Sequence, residues 1–241
     1  MGLTRQQTTM IAVLLAGAFL VVLNQTLLTP ALPTIMSHLN VNATTVQWLT
    51  SGYALVEAVI IPLNAYLIGR FSTRKLFIGG MLLFAAGSAL CASAPSFPFL
   101  LLGRVMQACA TGVVMPMVFA LILLIFPREN RGVGMGLVGL IISFAPAMGP
   151  SVSGVLVDSI GCAQFVLVVC LALCVVVAAL LALKKFEGFD RTTFDGLSVV
   201  LIAAGMVCLL YGISTSTSSP TPILPIVLIV VGLAVIVLFF R

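Results

Sequence analysis

Long apolar segments alternate with short polar stretches along the chain. Eight segments can be distinguished, with approximate limits at 9–30, 47–69, 76–94, 98–126, 132–157, 160–183, 197–214 and 221–240. Most approach the ~20 residues that an α-helix needs to cross the hydrocarbon core of a bilayer. The pattern therefore predicts an all-α polytopic membrane protein with eight membrane helices. Pro30 and Pro33 are expected to end the first helix, and Pro95 and Pro98 mark the turn before the fourth.

The composition supports this prediction and excludes several classes of function. Of the 241 residues, 61% are hydrophobic and 7% are charged, and the mean hydropathy is +1.29, whereas soluble domains carry roughly 25% charged residues. The six cysteines lack CxxC spacing and His38 is the single histidine, so neither a disulfide framework nor a zinc site is expected. No phosphate-binding glycine loop is present. We therefore expect no cofactor and no enzyme activity; an intramembrane enzyme is the weakest alternative.

The basic residues predict how the helices are oriented. Ten of the eleven fall on one side of the predicted bundle, at Arg5, Arg70, Arg74, Lys75, Arg128, Arg131, Lys184, Lys185, Arg191 and Arg241. The opposite loops, 31–46, 94–98, 157–161 and 214–222, contain no Lys or Arg. The positive-inside rule then places both ends and the basic loops in the cytoplasm. The net charge of +5 is thus a topology signal and does not imply nucleic-acid binding.

Two ionisable side chains lie well inside the predicted membrane segments. Glu57 is about ten residues from the outer end of the second segment and Arg104 about six residues into the fourth, at 1.5 Å per residue. Asn24 and Gln25 fall at a similar depth to Arg104. Charges at such depth are costly and face a cavity or a partner. The pattern fits either a structural hydrogen-bond network or a transport site.

The fifth segment combines membrane length with an unusual content of helix-breaking residues. Between Gly132 and Gly154 it has six glycines and two prolines, Pro146 and Pro150, so a bend is expected. Small residues recur every four positions in two rows, Gly139, Ser143, Ala147, Ser151 and Ala145, Gly149, Ser153. Such rows allow close helix approach in lipid. A tightly packed structural helix and a bent helix at a moving interface both explain the pattern.

Four motifs in order resemble the major facilitator superfamily, in its fourteen-helix drug:proton antiporter branch (EmrB/QacA type). They are the first-helix stretch 24–33 ending in ALP, the loop stretch LIGRFSTRK at 67–75, the fourth-helix stretch LLGRVMQ at 101–107, and APAMGPSVSG at 145–154. The resemblance implies that Arg104 belongs to a proton-coupling network, that Arg70, Arg74 and Lys75 form a conformational loop, and that Pro146, Gly149, Pro150 and Gly154 form an antiporter motif. Because Glu57 is an acid deep in the membrane segments, the expected proton-coupling and substrate site comprises Glu57, Arg104, Asn24 and Gln25.

The chain departs from the family pattern at several positions. Many relatives have an aspartate where this chain has Asn24, so that proton-binding acid is missing. The loop motif usually has an aspartate where Gly69 stands and a glycine where Ser72 stands, which puts the cytoplasmic lock of that loop in doubt. Ala108 and Ser153 replace glycines, a small-for-small change.

By resemblance, residues 1–185 form the N-terminal six-helix transporter bundle, and 186–241 form a cytoplasmic linker and an extra helix pair, helices 7 and 8. The C-terminal six-helix half is absent. The expected function is the N-terminal part of a proton-coupled efflux transporter, located in the plasma membrane of a bacterium. Its partners would be a hydrophobic or cationic small molecule, protons and membrane lipid. The alternatives are a truncated or split-transporter subunit that needs a separate C-terminal half, and an uncoupled solute facilitator.

Overall fold

The computed structural model describes residues 4–160, 163–183, 196–216 and 223–239. Within these ranges the chain is helical and has no strand. The long helices are α1 (Arg5–Leu39), α2 (Trp48–Arg70), α3 (Thr73–Ala92), α4 (Phe97–Ile125), α5 (Arg131–Ile160), α6 (Ala163–Ala182), α7 (Gly196–Ser216) and α8 (Ile223–Phe239). Short helical turns at Ala43–Val46 and Arg128–Asn130 precede α2 and α5. The all-α prediction is confirmed.

Six helical stretches, which fall on α1 to α6, are long and apolar enough to cross a membrane. The apolar stretches of the last two helices, Leu201–Ile213 and Leu224–Val237, are shorter. The chain is therefore a multi-pass membrane protein with six full-length spans in the described residues, followed by two shorter apolar helices.

The expectation that prolines end the first helix is wrong. α1 continues through Pro30 and Pro33 to Leu39, where Asn40 adopts a left-handed conformation (φ 50°, ψ 45°) and donates its N–H to Met36 O. Each proline removes one backbone donor, which a membrane helix tolerates when neighbouring elements pack around it. The residues around the prolines pack against buried side chains of the turn before α2 and of α3, α4 and α6. The turn between α3 and α4, at 93–96, was predicted correctly.

α1 is the most enclosed helix and organises the bundle. It packs against α4, α5 and α6, while α3 packs against α4 and α6, and α2 packs against α4. One large apolar core joins α1, α3, α4, α5 and α6. α7 and α8 pack against each other, and α7 also contacts α2. The helix pair is thus attached to the bundle through α2.

One interhelical hydrogen bond brings two predicted cytoplasmic ends together. The Arg74 guanidinium, at the start of α3, donates to Leu180 O in the last turn of α6. A cation at a helix C-terminus also interacts favourably with the helix dipole. These two ends therefore share one side of the bundle. The basic residues Lys184, Lys185, Arg191 and Arg241, the loop from 217 to 222 and the boundary predicted at 185 lie outside the described residues.

Candidate functional site

Arg104 of α4 is enclosed within the helix bundle. Its side chain is 1% exposed, the largest among the fully buried ones. Nη1 donates to Gln107 Oε1 at 2.8 Å and Nε donates to Leu49 O at 3.4 Å. The guanidinium carbon lies 4.3 Å from the centroid of the Tyr53 ring, a distance that gives a cation–π attraction. The backbone and ring of α2 thus hold the arginine from one side.

Gln107 connects Arg104 to two other helices. Its Oε1 accepts a second hydrogen bond from Asn24 Nδ2 of α1 at 3.2 Å, and its Nε2 donates to Ser88 Oγ of α3 at 2.8 Å. Asn24, Gln107 and Ser88 are all buried. Both polar atoms of the Gln107 amide therefore have partners, as is usual for buried polar groups. Asn24 therefore reaches Arg104 only through Gln107.

Tyr53 and Thr111 extend the same network along α4. The Tyr53 and Thr111 hydroxyls are hydrogen-bonded to each other, and Thr111 Oγ1 donates to Gln107 O at 2.9 Å. Both residues are about 1% exposed. Together with Asn24, Ser88, Arg104 and Gln107 they form a polar layer, named here the Arg104 network, that links α1, α2, α3 and α4.

Glu57 lies beside the Arg104 network and has a different partner. Its Oε2 accepts a hydrogen bond from Gln25 Nε2 at 3.4 Å, a long and weak interaction. Its side chain is half-buried. In the sequence, Asn24 and Gln25 fall at a similar depth to Arg104, and Glu57 lies deeper. In the structure, the Arg104 guanidinium donates to Gln107 Oε1 and Leu49 O, and the Gln25 amide donates to Glu57.

The guanidinium of Arg104 retains one donor without a partner. Its Nη2 is buried and, among the described residues, makes no hydrogen bond. An unsatisfied charged donor in a buried position is costly. The network therefore has capacity for one more acceptor, and the Glu57 carboxylate is close enough to interact electrostatically with Arg104.

The two small-residue rows of α5 have opposite environments. Ala145, Gly149 and Ser153 are buried, and Ser153 Oγ donates to Leu27 O of α1 at 2.9 Å. A Cβ on Gly149 would lie 2.8 Å from Thr26 Cβ, so only glycine permits this approach. The other row, Gly139, Ser143, Ala147 and Ser151, is exposed throughout.

The remaining predicted site residues lie on α5, at the end of α2 and at the start of α3. Pro146 and Pro150 are inside α5, which is helical from Arg131 to Ile160 and so includes Gly154. Arg70 and Lys75 are exposed, whereas Arg74 is half-buried through its contact with Leu180. The loop residues thus share one end of the bundle, distant along the helices from the Arg104 network.

Sequence reasoning missed the residue at the centre of the network. Gln107 stands three positions after Arg104 and four before Thr111, a spacing that places all three on one face of α4. That spacing was a usable signal. Tyr53 and Ser88 are polar residues within apolar segments, but nothing in the sequence links them to Arg104.

Comparison with known proteins explains this architecture. The Major Facilitator Superfamily model matches residues 14–189. The uncharacterized MFS-type transporter YhcA of Bacillus subtilis (strain 168) is 42% identical over 233 residues, covering 95% of this chain and 44% of YhcA. The lincomycin resistance protein LmrB of the same organism is 38% identical, covering 93% of this chain and 48% of LmrB. The chain thus spans about half the length of these relatives.

A solved structure has the same fold. The crystal structure of a bacterial homolog to the human lysosomal transporter Spinster, inward-facing and unoccupied, aligns with a TM-score of 0.69 over 99% of this chain and 61% of that one, at 15% identity. This likeness concerns the fold alone. Because the family model covers most of the chain and the relatives above share about two-fifths of its residues, the chain belongs to the Major Facilitator Superfamily.

Proposed function

We propose that this chain is the N-terminal part of a proton-coupled efflux transporter for hydrophobic or cationic drugs, in the fourteen-helix EmrB/QacA branch. The observation that carries the proposal is the similarity, over nearly the whole chain, to LmrB, a protein named for lincomycin resistance. A multidrug resistance protein B homolog of Mycobacterium tuberculosis supports the same class, at 32% identity over 80% of this chain.

The environment of Glu57 supports proton coupling. An ionised carboxylate near the bilayer midplane costs several kcal/mol, roughly 2.5–3.5 on insertion scales. Its hydrogen bond from Gln25 is long, at 3.4 Å, so the neutral acid is favoured when the surroundings are dry. Water or a cationic substrate reaching the half-buried side chain would favour the carboxylate. One acid would then bind either a proton or a cation, as an exchanger requires.

The Arg104 network supplies the framework for this acid. Buried side chains join α4 to α1 and α3, and the Tyr53–Thr111 hydrogen bond joins α4 to α2, which fixes the position of α2 relative to α4. The unpartnered Nη2 of Arg104 is a donor that the ionised Glu57 could use after a side-chain rearrangement. Arg104 would then stabilise the deprotonated state after proton release.

The exposed row of α5 supports a larger assembly. Close helix packing in lipid depends on small residues, and Gly139, Ser143, Ala147 and Ser151 have no such partner within the described residues. In this proposal, residues 1–185 form a six-helix bundle, 186–241 hold the linker and helix pair, and a further six-helix half packs on α5. Both ends would lie in the cytoplasm of a bacterial cell.

An uncoupled facilitator is the second candidate, because Asn24 provides an amide that cannot titrate at a position hydrogen-bonded into the network. The split-transporter subunit is a third candidate.

The test uses everted vesicles from bacteria that produce the complete gene product, with lincomycin and a fluorescent hydrophobic cation as probes. Proton-coupled efflux predicts energy-dependent uptake that stops when a protonophore collapses the gradient. Uptake that survives the protonophore would favour the facilitator, and no uptake of either probe would contradict drug efflux.

A further inference from the structure

A groove between α3 and α4 opens on the outer surface of the bundle, away from the Arg104 network. It encloses about 280 Å³ and is lined mainly by apolar residues, among them Leu76, Gly79 and Leu83 of α3 and Cys109 and Val113 of α4, with Lys75 at one end. A Cβ built on Gly79 meets no atom within 4 Å. The glycine therefore leaves the groove open where a larger side chain would fill it.

The positive charge at the end of the groove is not neutralised by the neighbouring sequence. The stretch from 67 to 75 has three basic residues and no acid, because glycine occupies position 69. Arg74 is already bonded to Leu180 O. Lys75 is exposed, and among the described residues it has no hydrogen-bond partner.

We propose that this groove, the α3–α4 groove, binds one anionic phospholipid, with an acyl chain along Leu76, Gly79 and Leu83 and the phosphate at Lys75. Both helices that line the groove are long and apolar enough to cross a membrane, and the groove runs about 12 Å between Lys75 and Leu83, at 1.5 Å per residue. Basic residues at the end of a groove between membrane helices select anionic headgroups. A free phosphate would leave the apolar part of the groove unfilled, and a zwitterionic lipid brings no net charge to Lys75.

Native mass spectrometry tests the proposal with the full chain. The protein is released from micelles that contain equal amounts of dioleoylphosphatidylglycerol and dioleoylphosphatidylcholine, and the lipid molecules retained are counted. Lys75→Gln removes the charge, and Gly79→Leu extends a side chain into the groove from a position where a Cβ meets no atom within 4 Å. The matched controls are Arg128→Gln, an exposed cation on another loop, and Gly136→Leu, a glycine of α5 whose Cβ also meets no atom within 4 Å. Circular dichroism checks that all four variants keep their helix content.

Preferential retention of one phosphatidylglycerol is expected, falling about fivefold in Lys75→Gln and at least as much in Gly79→Leu, with both controls unchanged. Equal losses in Lys75→Gln and Arg128→Gln would reduce the effect to general surface charge and overturn the proposal. Full retention in Gly79→Leu would exclude the groove. Displacement of the lipid by excess inorganic phosphate would assign a simple anion site instead.

Discussion

The side chain of Asn64 lies against the break that Pro116 makes in the backbone hydrogen bonding of α4, and it supplies a long hydrogen bond to the carbonyl that Pro116 leaves without a donor. Pro116 lies inside α4, and its missing N–H leaves Gly112 O without its usual intrahelical donor. Asn64 Nδ2 of α2 donates to Val113 O at 2.7 Å and to Gly112 O at 3.4 Å. Asn64 is 1% exposed. The residue therefore connects α2, which holds Glu57, to the proline break of α4.

This relationship predicts coupled stability effects. Asn64→Leu should lower the free energy of unfolding by about 1 kcal/mol, because it leaves Gly112 O without a donor, although it also removes the buried Asn64 Oδ1 that has no partner. Pro116→Ala restores the N–H, so Asn64→Leu should cost less in that background. The measurement is the unfolding midpoint in SDS, followed by circular dichroism. Ser153→Ala, which removes the bond to Leu27 O on another helix pair, is the control and should be additive with Pro116→Ala. Additive costs for Asn64 and Pro116 would contradict the coupling.

The two glycines Gly149 and Gly139 provide a matched test of the α5 face. Gly149→Leu places side-chain atoms against Thr26 of α1, whereas a Cβ on Gly139 meets no atom within 4 Å. Overpacking of this kind costs about 1–3 kcal/mol. We expect Gly149→Leu to lower thermal stability and Gly139→Leu to leave it unchanged in the isolated chain.

Export gives a second measurement for the same pair of variants. In the complete transporter both variants are expected to lose export while still inserting into the membrane. Gly149→Leu would disturb the packing of α5 against α1, and Gly139→Leu would disturb its packing against the proposed partner half. Full export by Gly139→Leu would show that its row faces lipid only.

Substitutions of Arg104 separate the contribution of the planar guanidinium from that of the positive charge. Arg104→Lys keeps the charge but cannot reproduce the simultaneous contacts with Gln107, Leu49 O and the Tyr53 ring. We expect a loss of about 1.5–3 kcal/mol of stability, the usual range for hydrogen bonds of charged groups, and loss of drug efflux at normal expression. Unchanged efflux in Arg104→Lys would leave only a requirement for a cation. Unchanged efflux in Arg104→Leu would remove Arg104 from the mechanism.

The sequence predicted the helices well because membrane spans are encoded locally, in the length of apolar runs. It failed at Pro30 and Pro33, since the outcome there depends on packing from other helices. The polar level was also predictable, because buried polar residues in apolar segments must find partners. The partner of each residue was not predictable, because the side-chain amides of Gln107 and Gln25 can donate and accept equally well. Arg104 meets Gln107 through their i, i+3 spacing on α4, whereas only the placement of α1 relative to α2 decides that Glu57 meets Gln25.

The same limit applies to α5. Both small-residue rows satisfy the same spacing rule, and nothing in the residues themselves distinguishes Gly139 from Gly149. The difference arises from Thr26 and Leu27 of α1, which pack against one row only.

The proposed exchange site makes its sharpest prediction at Glu57. Glu57→Gln removes titration but preserves side-chain shape, and an amide can still pair with Gln25 because either group of an amide can donate or accept. The fold should therefore be unaffected. In proteoliposomes of the complete transporter, the variant should lose accumulation of a hydrophobic cation driven by an imposed pH gradient, since proton and substrate can no longer compete for one acid. Downhill substrate exchange, which needs no proton, should persist.

Two control variants test whether the effect of Glu57→Gln is specific to the loss of that acid. Glu129→Gln removes an exposed acid from the 128–130 turn and should leave accumulation at the wild-type level. Glu57→Asp retains a titratable group on a shorter side chain, so partial pH-driven accumulation is expected. If Glu57→Gln vesicles still concentrate the cation under a pH gradient, then Glu57 is not the coupling acid. Such a result would leave the Gln25–Glu57 contact as a structural hydrogen bond and move proton coupling to the six-helix half that the proposal places on α5.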